Sequence, residues 1–330
     1  MIKVRELSKE YKIVQRDPGL KGALKSLFKR KYITKEAVKG ISFDISKGEM
    51  VGYIGANGAG KSTTIKMLCG ILTPTNGTVL VNDIVPYEDR MNNALQIGAV
   101  FGQRTQLFWD IPVRESYDLL RHIYNIPKEQ YEETLEMFTE VLNLSPLLSI
   151  PVRQLSLGQK MRCELAAAFL HRPDVVYLDE PTIGLDIAVK VRIREFIKEM
   201  NRKWGTTVIL TTHDMQDIEE ICSRVIIINE GVILYDGDLQ SIKSKFGHKR
   251  MIHFDLEYDI EPSLPKELDG IAQITSYDNE TRKLTLSVES KDTPVASIIS
   301  IMMNNYKVSD LTISDPKIET IVEEIFNRGL

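Results

Sequence analysis

Met50-Val51-Gly52-Tyr53-Ile54 runs straight into Gly55-Ala56-Asn57-Gly58-Ala59-Gly60-Lys61-Ser62-Thr63, and Thr64-Ile65-Lys66-Met67-Leu68 follows. Apolar strand, glycine loop and helical pattern in that order are the context in which G-x-x-x-x-G-K-[ST] reads as a phosphate-binding loop. Glycines let the backbone turn tightly and aim successive N–H groups into one concavity. The helix behind the loop adds its positive N-terminal end. Lys61 can reach the β- and γ-phosphates, and Ser62 can hold Mg²⁺. A glycine-rich turn that binds nothing would need neither the lysine nor the hydroxyl at those positions.

Working outward, Val175-Val176-Tyr177-Leu178-Asp179-Glu180 is an apolar strand that ends in two carboxylates. In an open α/β sheet the carboxyl ends of the strands gather on the ligand-binding edge. Asp179 is therefore expected at Mg²⁺, directly or through water. Glu180 is expected to polarise an attacking water. Short apolar strands near 78–81, 96–101, 175–178, 208–212, 225–229 and 232–235 alternate with helical stretches at 113–148, 159–170, 187–203 and 215–222. This alternation predicts an α/β core. The alternating Ile41, Phe43 and Ile45 before Lys47-Gly48-Glu49 predict a hairpin leading into the phosphate-loop strand.

Two further segments stand apart. Between Arg16 and Lys35 seven basic residues face a single acid, Asp17, and Leu20, Leu24, Leu27 and Phe28 recur at helical spacing after Asp17-Pro18. The pattern predicts a short basic amphipathic helix, suited to an anionic membrane surface or a membrane protein, or else packed on its own domain. Past a basic, glycine-containing boundary at Lys243–Arg250 the pattern becomes strand, paired strands around Asp278-Asn279-Glu280, helix, strand and helix. This predicts a small α+β domain without recognisable catalytic residues.

Composition narrows the classes. A chain of 330 residues exceeds one core of typical size, so a large domain and a smaller one are expected. There is no signal-peptide pattern and no apolar run long enough to span a bilayer, which predicts a cytoplasmic protein unless a partner holds it at a membrane. Cys69, Cys163 and Cys222 are widely spaced in apolar stretches and read as reduced packing residues. A net charge of −4 gives no reason to expect nucleic acid.

With these residues in view, the chain over about 1–240 resembles the ATP-binding subunit of an ABC transporter. Leu155-Ser156-Leu157-Gly158-Gln159 resembles the family's signature, with leucine at the third position, where glycine is commonest. Gln103 falls where the family has its Q-loop glutamine. Gly184-Leu185-Asp186 resembles the D-loop, and His213 in Thr211-Thr212-His213-Asp214 resembles the switch histidine. Tyr11 resembles the aromatic residue that stacks on adenine, with Tyr32 as the alternative across the basic insertion.

The resemblance implies a P-loop NTPase fold of the ABC cassette type. That is a mixed-sheet core with a β-subdomain and a helical subdomain at about 104–165, filling residues 1–245 with the insertion at 16–35. A C-terminal accessory domain over 246–330 would follow. It implies ATP held by Tyr11, Gly55, Asn57, Gly58, Gly60, Lys61, Ser62, Thr63 and Gln103, and Mg²⁺ held by Ser62, Gln103 and Asp179. Glu180, His213 and Lys61 would carry catalysis. Ser156, Gly158 and Asp186 would complete the site of a second copy, head to tail. A membrane permease is the implied partner. Ser314-Asp315-Pro316-Lys317-Ile318-Glu319 is loosely similar to the C-terminal extension of drug- and polysaccharide-exporting subunits, and Gln103–Ser116 with the basic insertion resembles exporters of hydrophobic drugs, so an ABC-2-type exporter of a hydrophobic or drug-like compound is expected. The alternative is a member of the superfamily acting on nucleic acid or the ribosome. Such proteins often carry two cassettes or a long coiled-coil insertion, neither of which is visible here.

Overall fold

A computed structural model describes residues 1–15, 31–102, 104–246, 249–258, 262–289, 294–314 and 318–328. The chain divides into two compact units, Met1–Gly237 and Asp238–Leu330. The sequence reading put the boundary after 245. In the structure the helix Leu239–Phe246, which contains the first part of the basic run, goes with the second unit.

The first unit holds two sheets. Strands β1 (Ile2–Gln15), β2 (Lys31–Ile45) and β4 (Asn76–Val81) form an antiparallel sheet in the order β2-β1-β4. Ile2, Val4 and Leu7 of β1 all point into the core, although Leu7 breaks the period of two. The register shifts between Val4 and Leu7, where Glu6 adopts φ 47°, and this bulge re-aims the strand. The β1–β2 pairing runs out to Gln15 opposite Lys31. The amphipathic helix expected over Asp17–Lys31 lies, apart from Lys31, outside the described residues.

The second sheet has the order β5-β6-β7-β3-β8-β9. Its members are β3 (Met50–Ile54), β5 (Ile97–Phe101), β6 (Val175–Asp179), β7 (Thr207–Thr211), β8 (Arg224–Asn229) and β9 (Val232–Asp238). The pairs β5–β6, β6–β7, β7–β3 and β3–β8 are parallel. Thr207–Thr211 is buried at every position, as expected of a strand covered on both faces. The turn Glu230-Gly231 between β8 and β9 has φ 46° and 84°, the left-handed pair a two-residue hairpin requires.

One expectation is corrected here. The segment before the phosphate loop does not form a hairpin with it. Strand β2 pairs with β1, while β3 sits between β7 and β8 in the other sheet. The burial explains this. Ile41–Ile45 alternates inside and outside like a one-faced strand, whereas Val51–Ile54 is buried throughout. Ser46–Glu49 thus carries the chain from one sheet to the other. A further helix, over Arg90–Gln96, has no counterpart in the sequence reading. Asp89 caps it by accepting from the Asn92 N–H at 3.3 Å.

Among the described residues the α-helices of this unit are, in chain order, α1 (Lys61–Leu68), α2 (Arg90–Gln96), α3 (Val113–Ile123), α4 (Lys128–Val141), α5 (Leu157–Phe169), α6 (Ile187–Trp204) and α7 (Met215–Ile221). The Tyr117 hydroxyl of α3 donates to the Cys163 carbonyl of α5 at 3.0 Å. Phe196 of α6 takes edge-on contacts from Phe138 of α4 and Phe169 of α5, at 5.0 and 5.2 Å between ring centres. Edge-to-face pairs of this kind favour one relative orientation of the helices that carry them.

The second unit is an antiparallel sheet in the order β11-β12-β10-β13, built from β10 (Lys249–Leu256), β11 (Ala272–Asp278), β12 (Lys283–Glu289) and β13 (Val308–Ser314). Helices α8 (Leu239–Phe246), α9 (Val295–Asn305) and α10 (Ile318–Arg328) accompany it. Its core gathers the alternate residues Ile252, Phe254 and Leu256 with Leu284, Leu286 and Val288 across the ladder and Ile298 and Met302 from α9. The β11–β12 turn is held by Asp278, which accepts from the Glu280 N–H at 2.9 Å and the Thr281 hydroxyl at 2.7 Å. Among the described residues no helix is long and apolar enough to cross a membrane.

Candidate functional site

Parallel pairing decides what meets at the edge of the large sheet. Asp179 at the end of β6 stands opposite Phe101 on one side and Thr211 on the other, and Gly52 of β3 stands opposite Leu210. The loops that follow β3, β6 and β7 therefore leave the sheet side by side. They carry the phosphate loop, Glu180 and His213 respectively. A cleft of about 870 Å³ opens where they converge.

The phosphate loop turns on its glycines. Gly58 and Gly60 have φ 83° and 110°. At Gly60 a Cβ would also stand 2.6 Å from the Ala37 carbonyl oxygen, so β2 packs directly on the loop. Gly55 has ordinary φ but no room, since a Cβ there would come 2.2 Å from the Ile228 carbonyl oxygen. Helix α1 begins at Lys61, so the N–H groups of its first turn face the cleft along with the loop. The Lys61 ammonium donates to the Gly55 and Ala56 carbonyls at 2.6 and 3.2 Å. Burial pushes its pKa down, and the charges of Glu180 and Asp179 act against that.

Three side-chain contacts hold the two carboxylates. The Ser62 hydroxyl donates to Asp179 Oδ2 at 3.1 Å, and the Thr211 hydroxyl donates to Asp179 Oδ1 at 2.5 Å. His213 Nε2 lies 3.2 Å from Glu180 Oε1. Burial raises the Glu180 carboxyl above the usual range, and His213 and Lys61 pull it back. Glu180 also has φ 58°, a left-handed backbone that a non-glycine residue adopts only where its surroundings impose it. A hard-oxygen pair beside a phosphate cradle suits Mg²⁺, which keeps several waters and takes few protein ligands. Among the described residues no group of three or more His, Cys, Asp or Glu is arranged to hold a metal ion by itself.

Of the residues singled out in the sequence, Tyr11, Asn57, Gly58, Gly60, Lys61, Ser62, Thr63, Asp179, Glu180 and His213 all line this one cleft. Tyr11 reaches it from the β1–β2 sheet, paired with Lys35 and with the Lys9 ammonium 5.6 Å from its ring centre. Tyr32 does not line it. Gln103 lies outside the described residues.

Gly55, Ser156, Gly158 and Asp186 do not line the cleft; Gly55 sits beneath it, where its carbonyl accepts from Lys61. Ser156 caps α5 in a reciprocal box: its hydroxyl accepts from the Gln159 N–H at 3.3 Å, and Gln159 Oε1 accepts from the Ser156 N–H at 2.9 Å. Asp186 caps α6 by accepting from the Val189 N–H at 2.9 Å. Both are exposed. At Gly158 a Cβ would meet Val189 only at an ordinary 3.5 Å, so the chain's own packing does not demand glycine there.

Sequence reading missed Thr211, whose only signal is its place in register with Asp179. It also missed the contribution of Ile13, Lys35 and Ala37 to the cleft wall. They come from a sheet that the motif itself does not include.

Comparison with known proteins agrees with this geometry. Residues 38–183 match the family model described as ABC transporter. The chain is 30% identical to the ABC transporter ATP-binding protein NatA of Bacillus subtilis, over 65% of this chain and 87% of that protein. It is 28% identical to the linearmycin resistance ATP-binding protein LnrL of the same organism, over 92% of this chain and 97% of that one. Among solved structures it resembles the ATP-binding subunit of an ABC transporter, with a TM-score of 0.62 at 25% identity over 74% of this chain and 93% of that one. It also resembles a dimeric ATP-binding cassette in a post-hydrolysis state bound to ADP and Pi, with a TM-score of 0.60 at 25% identity over 72% and 99%. With its phosphate loop, the Asp179 and Glu180 carboxylates and His213 converging on one cleft, the chain belongs to the ABC transporter ATP-binding proteins and is an ATPase.

Proposed function

We propose that this ATPase powers a separate membrane permease of the ABC-2 type that exports a hydrophobic or drug-like compound. The subunit works at the cytoplasmic face of the membrane, held there by the permease. The likeness to the linearmycin resistance protein, which extends over nearly the whole of both chains, supports the export reading.

Chemistry at the site is positioning and charge stabilisation, since phosphoryl transfer asks little covalent work of the protein. Lys61 and the N–H groups of Gly58, Gly60, Ser62 and Thr63 hold the phosphates. Ser62, Asp179 and Gln103 would hold Mg²⁺, which neutralises charge on the β- and γ-phosphates. Glu180 orients water and accepts its proton, His213 steadies Glu180 and contacts the γ-phosphate, and Tyr11 stacks on adenine.

The observation that carries the mechanism is the pairing of Ser62 with Asp179 and of Glu180 with His213 inside one glycine cradle. A second copy completes the site. Ser156 caps an outward-facing helix end, an anion site by its dipole. The glycine at 158, which internal packing does not require, lets a neighbouring chain's phosphates approach. Two copies head to tail then sandwich two ATP molecules, and hydrolysis releases them. Asp186 links the two sites across that seam.

Glu180→Gln tests the reading. It is expected to bind ATP like the parent, to stop turnover, and to shift from monomer to dimer in sizing chromatography when ATP and Mg²⁺ are added. Hydrolysis at the parent rate removes the role given to Glu180. Absence of an ATP-dependent dimer removes the sandwich. Co-purification from membranes with identification of the partner chain tests the permease, and recovery without any polytopic membrane chain refutes it.

A further inference from the structure

Behind the cleft, in the same unit, lies a buried ionic cluster to which the catalytic assignment gives no role. Asp217 of α7 is fully enclosed. One of its oxygens accepts from the hydroxyls of Thr182 and Thr212, the latter at 3.1 Å. The other accepts from Nε of Arg194, on α6, at 2.6 Å. Arg194 is itself 3% exposed and spends its remaining donors on Glu220 at 2.9 Å, with Asp214 at 3.6 Å.

The donors to Asp217 come from segments that matter. Thr182 follows Glu180 by two residues, across Pro181. Thr212 immediately precedes His213. One carboxylate therefore ties the segment carrying Glu180 to the segment carrying His213, just behind the point where Glu180 Oε1 and His213 Nε2 stand 3.2 Å apart. The Glu180 N–H adds a bond to the Thr211 carbonyl at 3.0 Å. Glu180 needs such restraint, because its left-handed backbone persists only where the surroundings over-determine it.

We propose that Asp217 is a positioning residue for hydrolysis. By gripping Thr182 and Thr212 together, with Arg194 fixing its own orientation, it sets the distance between Glu180 and His213. The proposal rests on the reading of Glu180 and His213 given above. A carboxylate suits the task because two oxygens can serve three donors from three elements, whereas an amide brings donors of its own against hydroxyls and a guanidinium.

A purely structural ion pair would predict something different, and the two threonines separate the cases. Thr182→Val and Thr212→Val remove one hydroxyl each and leave the Arg194–Asp217 pair intact. In the full-length chain each is expected to lower kcat by roughly tenfold, since misplacement of catalytic groups by a fraction of an ångström costs rate steeply. KM for ATP should stay within about twofold, because the cradle that holds the phosphates is on another loop. Thr182→Ser and Thr212→Ser restore the hydroxyls and are expected to restore kcat. Rates are taken per folded site, counted by nucleotide binding. If a valine variant does not fold, the smaller alanine variant replaces it.

Valine variants with parent kcat overturn the proposal. So does a fall in kcat matched by a rise in KM, or serine variants no better than valine. Glu180→Gln is measured alongside. If it hydrolyses ATP at the parent rate, the underlying reading falls and the clamp with it. If it is inactive while the valine variants are normal, the clamp alone is wrong.

Discussion

Arg194→Met isolates what a buried charge is worth in this fold. The parent guanidinium is 3% exposed and Asp217 is 0% exposed, so the substitution leaves a carboxylate sealed from water with only two hydroxyl donors. Glu220 and Asp214, the other partners, are 35% and 27% exposed at the side chain and can turn to solvent, so each adds at most about 1 kcal/mol. The loss is therefore set by Asp217. Removing one partner of a buried pair costs about 3–5 kcal/mol. For a unit of this size each kcal/mol lowers Tm by roughly 2–4 °C, so a fall of about 6–20 °C is expected. The control is Arg5→Ala. Arg5 meets Asp44 at 2.7 Å, nearly the same distance, but their side chains are 53% and 59% exposed. An exposed pair of this kind is worth about 0–1 kcal/mol. Urea unfolding by linear extrapolation reads both variants, and the double variant Arg194→Met/Asp217→Asn should recover part of the loss by removing the stranded charge. If Arg194→Met unfolds at the same urea concentration as Arg5→Ala, the reasoning from burial is wrong.

Four other outcomes are expected. In the mechanism proposed above Glu180 works as the carboxylate, and burial raises its pKa in the free chain, so kcat/KM should fall on acidification at a higher pH than an ordinary glutamate would give; a pH–rate profile checks this. The same shift means that the folded chain carries a stability contribution present below the unfolded pKa and lost as pH rises through the folded one. Glu180→Gln should then be more stable than the parent at neutral and alkaline pH, with the difference vanishing in acid, as read by thermal unfolding across pH. Tyr11→Ala should weaken ATP binding by about 1–3 kcal/mol, the worth of one base–aromatic stack, while Tyr32→Ala should not; titration with a fluorescent nucleotide decides, and the reverse result moves the adenine to Tyr32. Gly60→Ala combines φ 110° with a Cβ 2.6 Å from the Ala37 carbonyl, so ATP binding should fall below detection in the same titration, and binding at parent affinity would contradict the close packing of β2 on the loop.

What the sequence disclosed and what it hid follow from how far apart the interacting residues are. The phosphate loop, the strand ending in Asp179-Glu180 and the Glu230-Gly231 hairpin are each specified within a window of about ten residues, so local pattern suffices. The partner of β2 was misread because pairing is a non-local choice: alternation shows that a strand is one-faced but not which strand lies beside it, and the two-faced burial of β3 rules out the neighbour that sequence order suggests. Ile13 and Ala37 enter the cleft only because separate sheets converge there, and Thr211 meets Asp179 only through the register of β7 against β6. Asp217 is the clearest case. Its donors stand 5, 23 and 35 residues away along the chain, and an aspartate four residues after a histidine in a short helix has no local signature. Yet the same geometry explains why the motif residues work where they do. Glycines and a helix end can bind phosphate from sequence-local structure alone, but a glutamate and a histidine delivered by two different strands need a third element to fix their separation. In the mechanism proposed above, the part of the site that binds is written in one stretch, and the part that would position the catalytic pair is spread across β6, β7, α6 and α7.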